Sequence, residues 1–582
     1  MNLKKMKKHI SIIILLLITT LAFSQKKKDT IGTEVINVVK PYSPTVSDAF
    51  KVKLSPEIND TELNKKRVIQ YSIFSIPVAS TFTPAKGKAK VLRVDPSAPV
   101  YDNFITAGFG NFSTPQIEAF VHTNSTRYND FGGFFNYHSS KGGIEDVLLD
   151  DDFLDTRLDM FYKQEESDFD WQLNGGIRFQ KYNWYGLPEQ INFIQNTISG
   201  LNETQKYTNM YLGGKLNYND SFFQGGTIEL NRFTDDEAST ENHILIQPKI
   251  EFPIASEFIN ANARLEYLKG EFFMNYAGDD NIEYSFFTIG FNPNFEVLRD
   301  NLTINLGADI LYSSGSADGE DAKIYTYPKV NASYIVIDEV LTAYAGVIGG
   351  LHQNTYSEFT NDNPFVSPTL SIKRTDEQYN GFVGFKGKLA SNIGYNFKGA
   401  YKSEKDKPFF KLNPSKTDGS IIVAKGYEAG NSFQIVYDDV KTLSAFAEIS
   451  IDFSKELKLG GNIEFNSYSK DSIVEAWNLP ELKASAFANY NQDKWFAGAN
   501  LFFVGERKDE FAYAVPNIQS VDEIITLGNY VDLNFNGGYK FSDKLTAFAK
   551  VNNVFSSNYQ KYTNFKVQGL QVFAGLTYKF DL

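Results

Sequence analysis

The chain has 582 residues, a formal net charge of −13 and no cysteine; 15% of it is aromatic, with 50 Phe and 33 Tyr beside 42 Gly. Without cysteine there is no disulfide framework, no thiol catalysis, no Cys-ligated zinc and no N-terminal lipid anchor on a cysteine. The acidity argues against a binder of phosphate backbones, which needs a basic surface to release counterions, so no nucleic-acid partner is expected.

At the N-terminus, Lys4, Lys5, Lys7 and Lys8 precede an apolar run from Ile10 to Leu17 and a small-residue site ending Ala22-Phe23-Ser24. This predicts a secretory signal over residues 1–24, cleaved before Gln25. The run is short of the roughly 20 residues that a membrane-spanning helix needs. No later segment is a continuous apolar stretch of that length, so a mature chain that crosses a membrane must do so as a closed barrel.

Residues 25–101 hold Pro41, Pro44, Pro56, Pro77, Pro84, Pro96 and Pro99 and start with Lys26, Lys27 and Lys28. They read as a periplasmic leader or reduced plug, partly extended, with little that could form a core of its own.

From 102 to 582 the texture is uniform. Leu443, Ala445, Ala447, Ile449, Ile451 and Phe453 alternate with Ser444, Phe446, Glu448, Ser450, Asp452 and Ser454, and the pattern resumes after Lys455-Glu456 at Leu457, Leu459, Gly461, Ile463 and Phe465. It returns at Leu302 to Ile310, at Val531 to Tyr539 and in the last segment at Leu570, Val572, Ala574, Leu576, Tyr578 and Phe580. A period of two puts the apolar residues on one face of a strand, and segments past ten residues exceed ordinary soluble strands, which cluster near 5 to 6. Tight turns are predicted near Arg127, Ser167, Ser221, Ser256, Asp300, Asp338, Ser391, Lys455, Asp493 and Asp543. Long connections near 141–154, 187–202, 275–281, 314–322, 357–370, 406–430 and 514–528 fall at the other end. The expected fold is therefore all-β: a transmembrane antiparallel β-barrel of about 22 strands, preceded by a short periplasmic or lumenal segment. A soluble propeller or set of sandwiches is the competing reading, but no fixed blade-like repeat accompanies the strands.

The stretch Val551-Asn552-Asn553-Val554-Phe555, followed by the terminal aromatic strand from Gly569 to Phe580, resembles the closing hairpin of TonB-dependent receptors. The leader from Val39 to Phe50 and the opening Gly108-Phe109-Gly110-Asn111-Phe112-Ser113-Thr114-Pro115 are similar to an outer-membrane group of Bacteroidota usually given that family label. The resemblance implies a receptor or transporter that takes a ligand across the outer membrane. The leader is short for the folded plug of that family and lacks its glycine-rich landmarks, so the lumen must be occluded by the leader, by inward loops or by a partner. Asp29 to Val38 has the look of a TonB box, with Thr30, Glu34, Val35 and Ile36 as candidate contacts to periplasmic TonB by strand addition. An ordinary leader explains the same residues.

Four histidines remain beyond the signal, His122, His138, His243 and His352, scattered over distant segments with no nucleophile, phosphate-loop or zinc motif beside them. No enzymatic activity is expected. Asp146, Asp150, Asp151, Asp152 and Asp155 crowd the first long loop, where hard oxygen ligands such as Asp150, Asp151 and Asp152 could hold Ca²⁺ or simply stay solvated. Otherwise no cofactor is expected. In Lys181-Tyr182-Asn183-Trp184-Tyr185, the rings of Tyr182, Trp184 and Tyr185 offer stacking faces for a sugar or peptide ligand, or a place in an interfacial girdle. Asp309, Glu448, Asp452, Glu464, Asp532, Lys540, Lys550 and Lys579 fall on the lumen side, a wall of mixed sign. The expected function is an outer-membrane receptor or transporter, with outer-membrane lipid and TonB as partners. The alternative is a non-transporting barrel that serves as scaffold or accessory subunit beside another outer-membrane or periplasmic protein.

Overall fold

The computed structural model describes residues 101–582, apart from 127, 220, 255–256, 279, 317–320 and 516–522. The signal, the leader and the TonB-box candidates Thr30, Glu34, Val35 and Ile36 lie outside the described residues.

Twenty-two strands close into one antiparallel sheet. Each pairs with the next barrel strand along the chain. The first, Asn103–Gly110, also pairs with the last, Gln571–Phe580, in register from Asn103↔Phe580 to Gly110↔Phe573. That pairing leaves no strand edge, which is what a sheet immersed in hydrocarbon requires. Among the described residues no helix is long and apolar enough to cross a membrane, which has no bearing on crossing by strands.

The alternation in the sequence sorts the two faces. Leu306, Ile310, Leu443, Ile449, Ile463, Phe465, Val531, Phe535, Leu570, Val572, Leu576 and Tyr578 all stand exposed on the outer wall. Their strand neighbours turn inward, where Glu448 lies between Asn396 and Asn462 on the flanking strands, and Asp532 accepts a hydrogen bond from Tyr559 at 2.8 Å. Large apolar side chains outside and polar ones inside invert the order of a water-soluble protein.

All ten predicted turns join neighbouring strands at one end, the end at which the barrel starts at Asn103 and stops at Phe580. One of these strands carries a bulge at Gly225, where φ is +123° and an added Cβ would stand 1.9 Å from the Leu216 carbonyl oxygen, so only glycine fits. Long connections gather at the opposite end. Two of them, 471–481 and 553–570, were not anticipated, because their dense polar and aromatic residues continue the texture of the strands beside them. The connection expected to start at 406 starts at 413: the charged run Glu404 to Lys407 is a bulge, and the strand Ile393–Leu412 continues through it. Strands of 20 residues, such as Ile393–Leu412 and Phe433–Asp452, run well past the 9 to 11 that span a bilayer and lift the loop end clear of it.

Candidate functional site: a cap built from the long loops

At the loop end the connections fold inward and pack together. Tyr185 and Ile191 from 184–203, Tyr356, Phe359, Val366, Leu370 and Ile372 from 354–373, Phe511 from 505–529 and Phe565 from 553–570 form one apolar cluster with residues on the inner wall. The wall contributes Tyr207, Phe233, Leu268, Phe272, Tyr284, Phe286, Leu412, Phe433 and Ile435, all near the loop ends of their strands. Rings lock the pieces together. Phe365 stacks on Phe565 at 3.8 Å between centroids, and Tyr185 meets the edges of both at 5.6 and 5.0 Å. Such aromatic pairs stabilise by more than their buried area alone.

Polar residues bind the loops to one another. Two short hairpins, Arg507–Phe511 with Glu523–Leu527 and Gln560–Tyr562 with Phe565–Lys566, stand inside the cap. Asp509 lies at their junction, fully buried, and accepts hydrogen bonds from the Leu412 N–H at 3.0 Å, Asn478 Nδ2 at 2.9 Å and Thr563 Oγ1 at 2.7 Å. Burial pushes its carboxyl up, and these donors act against that. Arg507 donates to the Gln560 and Lys561 carbonyls and lies over the Tyr530 ring, joining the two hairpins. A parallel bridge joins Ser415 to Tyr513. The loop 413–432 is fastened to 184–203 through Asn431 Nδ2, which donates to the Trp184 carbonyl at 2.7 Å, and through the Ile194 N–H to Gly419 at 3.0 Å. Gly426 approaches so closely that a Cβ there would stand 1.7 Å from the Asn202 carbonyl oxygen.

The three aromatic ligand-binding candidates are parts of this cap. Trp184 is 1% exposed and packs edge-on against Tyr427 at 5.3 Å; Tyr185 is 9% exposed and donates to the Lys566 carbonyl at 2.8 Å. Burial pushes both the Tyr185 and Tyr427 hydroxyls up. Tyr182 lies between Phe153 and Phe365. Trp184 and Tyr185 are thus covered by the protein itself, and Tyr182 is partly so. The sequence signal for burial was there in Asn183 and Gly186, a short polar and glycine-marked break that lets the strand end fold back, but it does not distinguish an inward from an outward ring.

Of the aspartates of the first loop, Asp151 and Asp152 have partners for their carboxylates and Asp150 for its backbone carbonyl. Asp151 accepts from the Ile144 N–H at 3.1 Å, with its carboxyl pushed up by burial. Asp152 pairs with Lys181 Nζ at 2.9 Å and accepts from Asn183 Nδ2 at 2.6 Å, while the Asp150 carbonyl accepts from the same amide at 3.0 Å. Among the described residues no group of three or more His, Asp or Glu side chains gathers as a metal site would need. Of the histidines, His122 pairs with Asp130 at 2.5 Å and His243 with Glu266 at 2.9 Å on the inner wall, His352 lies 3.5 Å from Glu358, and His138 packs against Phe153.

Comparison with solved structures places this architecture. The pyoverdine outer-membrane receptor FpvA of Pseudomonas aeruginosa aligns over 82% of this chain and 78% of its own, with a TM-score of 0.60 at 12% identity. The FrpB iron transporter of Neisseria meningitidis gives a TM-score of 0.59 at 12% identity, covering 82% of each chain. The ferric enterobactin receptor PfeA of P. aeruginosa matches at 0.59 and 12%, over 82% of this chain and 80% of its own. The barrel is of the TonB-dependent receptor fold. At this identity the likeness is one of fold. No protein-family model matches the chain, and no curated protein matches it in sequence. In this barrel the chain's own loops pack together over the loop end, inward loops being one of the three means of occlusion that the sequence left open.

Proposed function

We propose that this chain is an outer-membrane receptor or transporter of the TonB-dependent type, which captures a ligand at its loop end and passes it into the periplasm. One observation carries the reading: a closed 22-stranded barrel with an apolar outer wall, matching barrels whose solved examples include an iron transporter and siderophore receptors, with a loop-built cap over one mouth. The predicted signal over 1–24 and the start of the barrel at Asn103 and its finish at Phe580, both at the turn end, fit an outer-membrane orientation with turns in the periplasm. The segment 29–38, through Thr30, Glu34, Val35 and Ile36, is the proposed TonB contact.

A scaffold or accessory barrel is the second reading, and a specific observation favours it: Trp184 and Tyr185 are buried, and Tyr182 partly so, within a cap held by backbone bridges as well as side chains. Capture of the full-length protein by the periplasmic domain of TonB separates the two. Capture that is lost on deleting 29–38 supports uptake. Capture that is absent, or that persists unchanged without the segment, overturns the TonB-coupled reading and leaves the scaffold.

A further inference from the structure

The loop 354–373 lies between the wall and the rest of the cap, and its two sides are attached by different kinds of bond. On its far side it is joined through backbone to the loop end of strand Phe433–Asp452: Val366 forms a parallel bridge with Phe433, the Ser367 N–H donates to the Phe433 carbonyl at 2.9 Å, and the Phe433 N–H donates to the Phe365 carbonyl at 3.1 Å. Asn413 Nδ2 adds a bond to Ser367 Oγ at 3.0 Å, and Phe365 lies on Phe565. Toward the wall of strands Thr204–Tyr218 to Ile282–Arg299, none of the backbone–backbone hydrogen bonds among the described residues reaches it.

Two carboxylates, Glu241 buried and Asp235 partly buried, hold that second side. Glu241, facing inward from strand Thr240–Ile254, accepts from the Tyr356 N–H at 2.7 Å, the Ser357 N–H at 3.1 Å and the Tyr284 hydroxyl at 2.7 Å. Asp235, at the end of the neighbouring strand, accepts from the Tyr356 hydroxyl at 2.8 Å. The Tyr207 hydroxyl donates to the Pro364 carbonyl at 2.9 Å. The Tyr356 ring, 0% exposed, meets Phe272, Phe233 and Tyr207 edge-on at 4.9, 5.1 and 6.2 Å.

We propose that 354–373 is a strap hinged at the Phe365–Ser367 bridge to Phe433 and latched to the barrel wall by Glu241 and Asp235, and that release of this latch opens the passage for solute. The asymmetry of attachment decides which side parts. Backbone bridges and a stacked ring pair resist separation, whereas a carboxylate loses its hydration when buried and regains it when its partner withdraws. Besides the Tyr356 ring and Phe359, the strap buries the polar residues Asn354, Thr355, Ser357, Thr360 and Asn363, which regain hydration on undocking and offset the apolar surface exposed. Tyr356 is the plug of the latch, placing one ring in an aromatic socket and two donors on two carboxylates.

This deepens the receptor reading by giving its closed mouth a way to open, yet its test uses the purified full-length barrel in detergent and does not depend on TonB or on the membrane. The natural chain lacks cysteine, so a single introduced thiol reports alone. Thr360→Cys places one on the strap and Ser415→Cys one in the bridged part of the cap, both at buried positions. In a Glu241→Ala background, maleimide labelling of Thr360→Cys is expected to accelerate roughly tenfold or more, as loss of hydrogen bonds to a charged group implies, while that of Ser415→Cys stays at its parent rate. Tyr356→Phe, which removes only the hydroxyl on Asp235, is expected to shift Thr360→Cys in the same direction by less and guards against misfolding of the alanine variant. No acceleration at Thr360→Cys in either background overturns the strap, and so does an equal acceleration at Ser415→Cys, which would mean that the cap loosens as a whole.

Discussion

At the scale of single residues, the cap contrasts a satisfied buried charge with an unsatisfied buried hydroxyl. Asp509 answers three donors from three separate segments, so Asp509→Ala leaves the Leu412 N–H, Asn478 and Thr563 without it; a loss of about 3 kcal/mol or more in cap stability is expected, read as earlier thermal unfolding. Tyr427 Oη is buried with no hydrogen-bond partner beside the equally unpartnered Trp184 Nε1. Tyr427→Phe is therefore expected to be neutral or to stabilise by up to about 1 kcal/mol in the same melt. Glu475, in the loop 471–481, receives Lys508 Nζ at 2.7 Å and Lys470 Nζ at 3.3 Å, and these hold its carboxyl below the usual range. A depressed folded value means that the contribution is present above the unfolded value of about 4.3 and is lost as pH falls through the folded one. Hydrogen exchange in 471–481 should accordingly rise on acidification in the native chain, while Glu475→Gln should show no such acid step; the difference at neutral pH should be at most roughly fivefold, as for a solvated pair.

At the scale of elements, the loops behave as one packed layer and not as separate excursions. The contact between 184–203 and 413–432 depends on Gly426, where a methyl group would strike the Asn202 carbonyl. Gly426→Ala should push those loops apart and expose the Trp184–Tyr427 pair, seen as a red shift in tryptophan emission with the barrel's circular dichroism unchanged. The strands show why the loop layer was only partly legible in the sequence. Alternation predicted all ten turns, because a tight turn interrupts a period of two at a definite place. The charged run at Glu404 looked like a loop start since a bulge breaks the same period without ending the strand. Tyr182, Trp184 and Tyr185 were recognisable as a ligand-sized aromatic group, but which way rings turn at a strand end is decided by partners such as Phe365, Tyr427 and Phe565, some 180 to 380 residues away.

At the scale of the whole molecule, the closing strand tests the assignment of faces directly. Leu576 points outward between Ala107 and Ala547, whereas Thr577 points inward, opposite Thr106 and Thr546. If the outer wall meets hydrocarbon, Leu576→Lys should reduce the folding free energy in liposomes by about 2 to 4 kcal/mol and Thr577→Lys by far less; equal costs would remove the basis for a membrane barrel. The sequence by itself determined the strand number, the turn end and which face is apolar, because each follows from a local period of two repeated along the chain. Closure of the mouth, the burial of the aromatic candidates and the seating of Tyr356 on Glu241 and Asp235 were decided only in the tertiary structure. They are pairings between segments more than a hundred residues apart, and no local period encodes which loop fills a space that the other loops create.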